Sequence, residues 1–259
     1  MNEYKVKGLV LRCVDIKESD RLITVYTAEM GILSALARGA RNYKSKLFAS
    51  TSNLCYASFV LVKNGEHFRV KEAELIESFY GIRGELDSLA LSSYISEVLL
   101  DVSTAEADEE LLRLALNSLY VISENKHPLT KVKAAFEIRC AAILGFMPDV
   151  TACALCGEMH GDYFFEIMAG RIVCRACNEK RVKSYREQEN PEESHIVCLL
   201  SEAAKIALAY CIYAPLEKLF SFKIPEPDMQ LFARASEEYL INQLERSFKT
   251  LDFYNEVKR

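Results

Sequence analysis

No stretch of this 259-residue chain has the look of a membrane span or of a secretion signal. The longest uncharged run, Leu47 to Val62, is sixteen residues and carries Ser, Thr and Asn, short of the roughly 20 apolar residues a spanning helix needs. The opening MNEYKVKGLVLRC does not read as a signal peptide, because Arg12 ends the apolar run that follows Lys7 after only four residues. Also missing are the phosphate-cradling Gly-x-x-x-x-Gly-Lys-Ser/Thr loop, the dinucleotide-binding Gly-x-Gly-x-x-Gly and the Gly-x-Ser-x-Gly nucleophile elbow. Only four histidines occur, and His67, His127, His160 and His195 show no triad or metal spacing; His160 reads as a surface loop residue. Acidic pairs such as Glu109-Glu110 and Glu192-Glu193 read as helix starts or surface charge rather than a catalytic dyad. There is no internal repeat and no low-complexity tract. Together these absences argue against an enzyme.

A more local absence is the informative one. The formal net charge is −5, yet residues 1–80 carry twelve Lys/Arg against nine Asp/Glu and the remainder twenty against twenty-eight. From Met30 to Gly65 there is no acidic residue at all, while Arg38, Arg41, Lys44, Lys46 and Lys63 fall inside that gap. Such a segment is either a solvated strand–loop region or a local anion-binding surface, and the charge favours the second.

What is present begins as strands. GLVLRCVDI and RLITVYTAEM are β-rich runs separated by the polar turn KESD, and GILSALARGA follows the turn at Glu29-Met30-Gly31. Two further runs, in CYASFVLVKNGEHFRVKEAELIES, meet at Asn64-Gly65, a strong hairpin signal. Five short strands in about eighty residues suit a small closed or partly open barrel. After Gly84 the period turns helical. Asp87 and Asp108 are placed to cap two helices, and Pro128 suits the first turn of a third that Gly145 ends, with Pro148 beyond. Their apolar stripes, among them Leu91, Ile95, Val98, then Leu112, Leu119, then Val132, Phe136 and Cys140, read as core. Two more helices are expected at 201–214 and 228–248, separated by the breaker IPEP. The polar stretch NEKRVKSYREQENPEESH reads as a surface loop or short helix.

Nine cysteines without a secretion signal point to a reducing, cytoplasmic setting in which thiols bind metal or sit in cores. Cys153, Cys156, Cys174 and Cys177 have Cys-x-x-Cys…Cys-x-x-Cys spacing, which lets two turns aim four sulfurs at one ion. Gly157 and Asn178, one after each pair, are residue types that tolerate positive φ, and DYFFEIMAGRIV between them reads as a hairpin. The expected ion is zinc or another tetrahedral thiolate metal. Four sulfurs leave zinc no position for water, so its expected role is structural. Cys13, Cys55, Cys140, Cys198 and Cys211 stand singly among apolar residues and read as core.

The order of these parts, with the segments GLVLRCVDIKESDRLITVYTAEMGILSALARGARNYKSKL, KEAELIESF, FEIRCAAILGFMPDVTACALCG and AGRIVCRAC, resembles the bacterial RecO family of recombination-mediator and DNA-repair proteins. The likeness spans nearly the whole chain and weakens after about Arg186; one departure is Ala169-Gly170, where the family often has Gly-Gly. The resemblance implies an α+β protein: a five-stranded OB-fold β-barrel at 1–80, then an α-helical domain at 81–259 with an inserted four-Cys module at 150–180 holding one structural zinc. It also implies a non-catalytic protein that binds single- and double-stranded DNA and anneals complementary strands. With RecR, such a protein helps load RecA onto single strands coated by single-strand-binding protein (SSB), whose C-terminal tail it binds. Expected localisation is cytoplasmic, at the nucleoid during repair.

Within that frame Arg38, Arg41, Lys44 and Lys46 are the leading DNA-contact candidates, with Arg12, Arg21, Lys63 and Arg69 secondary because some of them can pair with Asp15, Asp20 or Glu72. Tyr43 can stack on a base or pack on the barrel. Lys180, Arg181, Lys183 and Arg186 extend a DNA path or form a solvated face. A rival reading makes the chain a repair adaptor whose helical body binds the SSB tail, with DNA contact secondary.

Overall fold

The computed structural model describes residues 2–65, 67–103, 108–187 and 196–258. The chain packs into two compact units, Met1–Lys126 with Phe248–Arg259, and His127–Ser247.

The first unit is built on a closed five-stranded barrel of order β1-β2-β3-β5-β4: β1 (Glu3–Ile16), β2 (Asp20–Thr27), β3 (Gly31–Ala37), β4 (Tyr56–Asn64) and β5 (His67–Glu77). Fourteen-residue β1 pairs with two neighbours at once: Gly8 lies opposite both Thr27 and Ala57. An irregularity between Val10 and Arg12 bends it from one partner to the other. Gly8 is required there, since a Cβ would sit 2.3 Å from Val25 Cγ1 and 2.9 Å from the Tyr26 carbonyl oxygen. Closure comes from a short parallel contact, Ala35 opposite Phe68 and Leu36 opposite Arg69. Val6, Val10, Ile23, Val25, Leu33, Ala35, Phe59, Leu61 and Val70 fill the interior, following the period-two alternation of their strands. The expected Asn64-Gly65 turn joins β4 to β5, with Gly65 at φ +65°. A short helix not expected from the sequence, α1 (Leu47–Ser50), lies in the β3–β4 connection.

Three helices complete this unit: α2 (Leu86–Val102), α3 (Glu109–Ser123) and α8 (Lys249–Val257). Asp108 caps α3, its Oδ1 accepting from the Leu111 N–H at 2.9 Å. Asp87 does not cap α2. It lies inside the first turn, and Glu85 occupies the cap position without a side-chain bond. The expectation of one helix at 228–248 is likewise corrected. The chain leaves the helix at Glu245, in the left-handed region at φ 52°, and restarts as α8. Burial drives the break: Phe248 packs edge-on against Tyr94 with centroids 5.6 Å apart, and Glu97 Oε2 accepts from the Thr250 N–H at 3.0 Å.

The second unit surrounds α4 (Leu129–Ile143), which is buried on nearly every side. Pro128 precedes this helix as its cap rather than forming its first turn. Around it lie a three-stranded sheet of order β7-β6-β8 and helices α5 (Arg175–Glu187), α6 (Glu202–Tyr213) and α7 (Glu226–Leu244). The strands are β6 (Tyr163–Glu166), β7 (Arg171–Cys174) and β8 (Val197–Leu200). α7 starts two residues before the expected Asp228, because Pro227 is tolerated in its first turn. The remainder of the polar stretch, 188–195, with His195 and Glu192-Glu193, lies outside the described residues.

Asp108→Ala removes the α3 cap and is expected to cost about 1 kcal/mol of stability. A urea midpoint unchanged from the parent protein would contradict the assignment.

Candidate metal centre and nucleic-acid interface

The two cysteine pairs are brought together by the β6–β7 hairpin, which places Tyr163 opposite Cys174. The first pair sits in a tight turn: the Cys153 N–H donates to the Glu158 carbonyl at 2.7 Å and the Gly157 N–H to the Cys153 carbonyl at 2.9 Å. Gly157 takes φ +77° as expected, whereas Asn178 lies within α5 and needs no positive φ. Cys174 ends β7 and Cys177 falls in the first turn of α5. All four Sγ atoms lie within 4.8 Å of one another, and Cys156 and Cys174 are 3.7 Å apart. A tetrahedron with metal–sulfur bonds of about 2.3 Å needs sulfurs about 3.8 Å apart, so the cluster fits one tetrahedral ion.

The thiol chemistry agrees. Burial opposes ionisation of Cys153, but N–H groups of Cys174, Leu155 and Cys156 outweigh it and bring the thiol down to about 6. Hydrogen bonding to Cys156 and Cys174, with burial, pushes Cys177 up to about 12. The sulfurs compete for one negative charge, and a divalent cation at their centre relieves that competition.

Lys205 and Glu166, which the sequence reading did not single out, tie this clip to α6 and the sheet. Lys205, only 8% exposed, donates to the Met159 carbonyl at 2.6 Å and the Thr151 carbonyl at 3.4 Å, and lies 4.9 Å from the Tyr163 ring centroid. His160, exposed as expected, meets Glu202 at 2.9 Å. Buried Glu166 accepts from Arg171 at 2.7 Å and pairs with Arg181. Burial raises its pKa, but those two guanidiniums win and hold it below the ordinary carboxylate value. Arg181 thus secures α5 to the sheet; Lys180 is exposed, and the side chains of Lys183 and Arg186 lie outside the described residues. The one signal available was a charge on an apolar stripe, since Lys205 shares its helix face with Leu208 and Ile212. Gly170 at φ +61° makes the hairpin turn in spite of the alanine before it, and a Cβ there would lie 2.7 Å from the Tyr239 hydroxyl.

On the barrel, the acid-free segment leaves β3 as a loop at its rim. Arg38, Tyr43, Lys44 and Lys46 are exposed, and none of the three cations forms an ion pair among the described residues. Tyr43 does not pack on the barrel. It is 76% exposed, with Lys44 Nζ 5.6 Å from its ring centroid. The loop is tethered at its start: the Gly39 N–H donates to Asp20 Oδ1 at 2.8 Å, which holds that carboxyl below its ordinary pKa. Arg41 is exposed but occupied, pairing with Asp15 at 3.3 Å and donating to the Lys17 carbonyl.

The secondary candidates separate. Arg12 on β1 and Lys63 on β4 are exposed, and Arg69 on β5 is half-buried beside Leu36. Arg21 is a scaffold residue, its side chain 13% exposed. It pairs with Asp15 at 3.2 Å, donates to the Phe48 carbonyl at 2.9 Å and covers the Phe48 ring, so it fastens α1 to the barrel.

These features define an OB-like barrel protein with a four-cysteine clip in its helical part. Two family models match the chain, the recombination protein O N-terminal model over residues 1–79 and the C-terminal model over residues 83–252. The chain belongs to the RecO family of DNA repair proteins. It is 33% identical over 261 residues to the DNA repair protein RecO of Acetivibrio thermocellus, covering 100% of this chain and 99% of that one. Identity is 30% over 260 residues to that of Caldicellulosiruptor saccharolyticus, with full coverage of both chains. For that of Listeria monocytogenes it is 33% over 180 residues, covering 68% of this chain and 69% of the relative. Among the described residues no helix is long and apolar enough to cross a membrane.

Lys205→Met leaves two carbonyls of the clip without their donor, at a cost of about 2 kcal/mol. The variant is expected to release its metal to a chelator about tenfold faster than the parent, read with a colorimetric metal indicator. Equal rates would show that Lys205 does not hold the clip.

Proposed function

We propose that this protein is a non-catalytic recombination mediator that binds single- and double-stranded DNA through the barrel domain of residues 1–80. It anneals complementary strands and, together with RecR, helps load RecA onto SSB-coated single strands, binding the SSB C-terminal tail; residues 81–259 form its helical domain. The observation that carries this reading is the rim loop, where Arg38, Lys44 and Lys46 are exposed beside an exposed Tyr43. Two polyanions approach only when their repulsion is lowered, and cations that displace condensed counterions do this without any bond being made. Tyr43 offers a ring on which an unpaired base can stack. Arg12, Lys63 and Arg69 extend the path along the strands, while Arg41 contributes positive potential and shapes the loop.

The ion in the module at 150–180 is proposed to be a single zinc held by Cys153, Cys156, Cys174 and Cys177, with a structural role because four thiolates saturate it. The protein is proposed to act in the cytoplasm, at the nucleoid during repair. An adaptor reading, with DNA contact secondary, is supported by exposed Ile206 and Tyr213 on α6, which give the helical domain an apolar surface of its own.

Arg38→Glu with Lys44→Glu is expected to weaken single-strand binding by at least tenfold and to reduce the slope of log affinity against log salt by about 2. Fluorescence anisotropy across a salt series measures both. Unchanged affinity and slope would remove the rim loop from the interface. If in addition an SSB-tail peptide bound more tightly than DNA, the adaptor reading would replace this one. Elemental analysis is expected to find about one zinc per chain, lost in Cys174→Ser.

A further inference from the structure

The barrel carries an open cleft of about 480 Å³ that the reading above does not use. Its walls are Cys13, Val14 and Asp15 at the end of β1, Arg21 at the start of β2, and Ser52 and Asn53 after α1. Asp15 belongs to the polar wall. Its Oδ1 accepts from Arg21 Nε at 3.2 Å, and its Oδ2 forms an ion pair with Arg41 Nε at 3.3 Å, one cation beside each oxygen of a half-exposed carboxylate. Each oxygen therefore keeps a lone pair for a further donor. Exposed Asn53 presents an amide with no hydrogen bond among the described residues, and Arg21 Nη2 likewise donates to nothing there. Cys13 and Val14 supply an apolar side.

This donor and acceptor pattern selects a ligand class. A phosphate is disfavoured by the Asp15 carboxylate, and a purely apolar group would leave the amide and the carboxylate unanswered. A flat heterocycle with N–H groups beside a carbonyl answers all of them. Asp15 is also ion-paired with Arg41, the second cation of the rim loop, so the cleft adjoins that loop. We propose that the cleft takes one unstacked nucleobase of the bound single strand, guanine in preference, with Asp15 accepting from N1–H and N2–H and Asn53 or Arg21 donating to O6. The inference rests on the DNA-binding reading and adds base selection to it. Its consequence is uneven affinity along a strand that the basic loop alone would hold without regard to sequence.

The test compares anisotropy-derived dissociation constants for oligothymidylate and for the same strand with guanines at alternate positions. The parent protein is expected to bind the guanine strand about tenfold more tightly, the scale of one bidentate base contact. Asn53→Ala is expected to cut that ratio to about threefold. Asp15→Asn is expected to abolish it while tightening oligothymidylate binding, because a negative charge beside the loop is removed; a cost to folding would not imitate those opposite signs. Equal binding of the two strands, with both still weakened by Arg38→Glu and Lys44→Glu, would overturn the base cleft and leave the DNA reading standing. A ratio that survives both Asp15→Asn and Asn53→Ala would overturn it equally. Failure of the parent protein to bind either strand would sink the DNA reading and this inference with it.

Discussion

The first unit depends on β1 serving two neighbours at once. A five-stranded sheet left open would expose two rows of unpaired backbone groups, and closure removes both. Closing it requires one strand long enough to pair with β2 at one end and β4 at the other, with a bend between. The irregularity at Val10 and Arg12 supplies the bend, and Gly8 removes the side chain that would strike Val25 and Tyr26. The remaining closure, β3 against β5, spans two residue pairs before β3 departs into the rim loop. Barrel closure and presentation of the basic residues are thus parts of one geometric event. The loop starts where the last pairing ends, and its entry is fixed by Gly39 on Asp20 and Arg41 on Asp15.

The second unit solves a different problem, that of fixing a short three-stranded sheet whose Tyr163, Phe165, Ile172 and Leu200 are fully buried. The four sulfurs do so locally, and Lys205 and Glu166 carry the constraint outward to α6 and α5. Both are buried charges, which cost free energy unless partnered. Lys205 finds two carbonyls and an aromatic face, Glu166 two guanidiniums. A four-cysteine cluster able to hold a metal ion, surrounded by such contacts, has the properties of a fastening.

Much of this was legible in the chain beforehand. The strand alternation, the Asn64-Gly65 turn, the Asp108 cap and the cysteine spacing are local signals, each produced by residues a few positions apart. β8 was not legible, because Val197–Leu200 is a four-residue apolar run whose identity as a strand depends on β6 being beside it. The end of α7 was hidden too, since Glu245 adopts a left-handed conformation without a glycine to announce it and the reward is the distant burial of Phe248. Arg41 read as a leading DNA-contact candidate and Arg21 as a secondary one, and only the position of Asp15 across the β1–β2 pair shows both to be ion-paired where, among the described residues, Arg38 and Lys44 are not.

The sequence by itself determined the order of parts, the sign of charge along each segment and the ligand set of the clip, because composition and short spacing carry those directly. Tertiary structure alone decided which cations are ion-paired among the described residues, that Tyr43 faces solvent and that a polar cleft opens beside the rim loop. Those properties depend on which distant side chains arrive at the same place, Asp15 and Phe48 at Arg21 above all, and no local pattern encodes such an arrival.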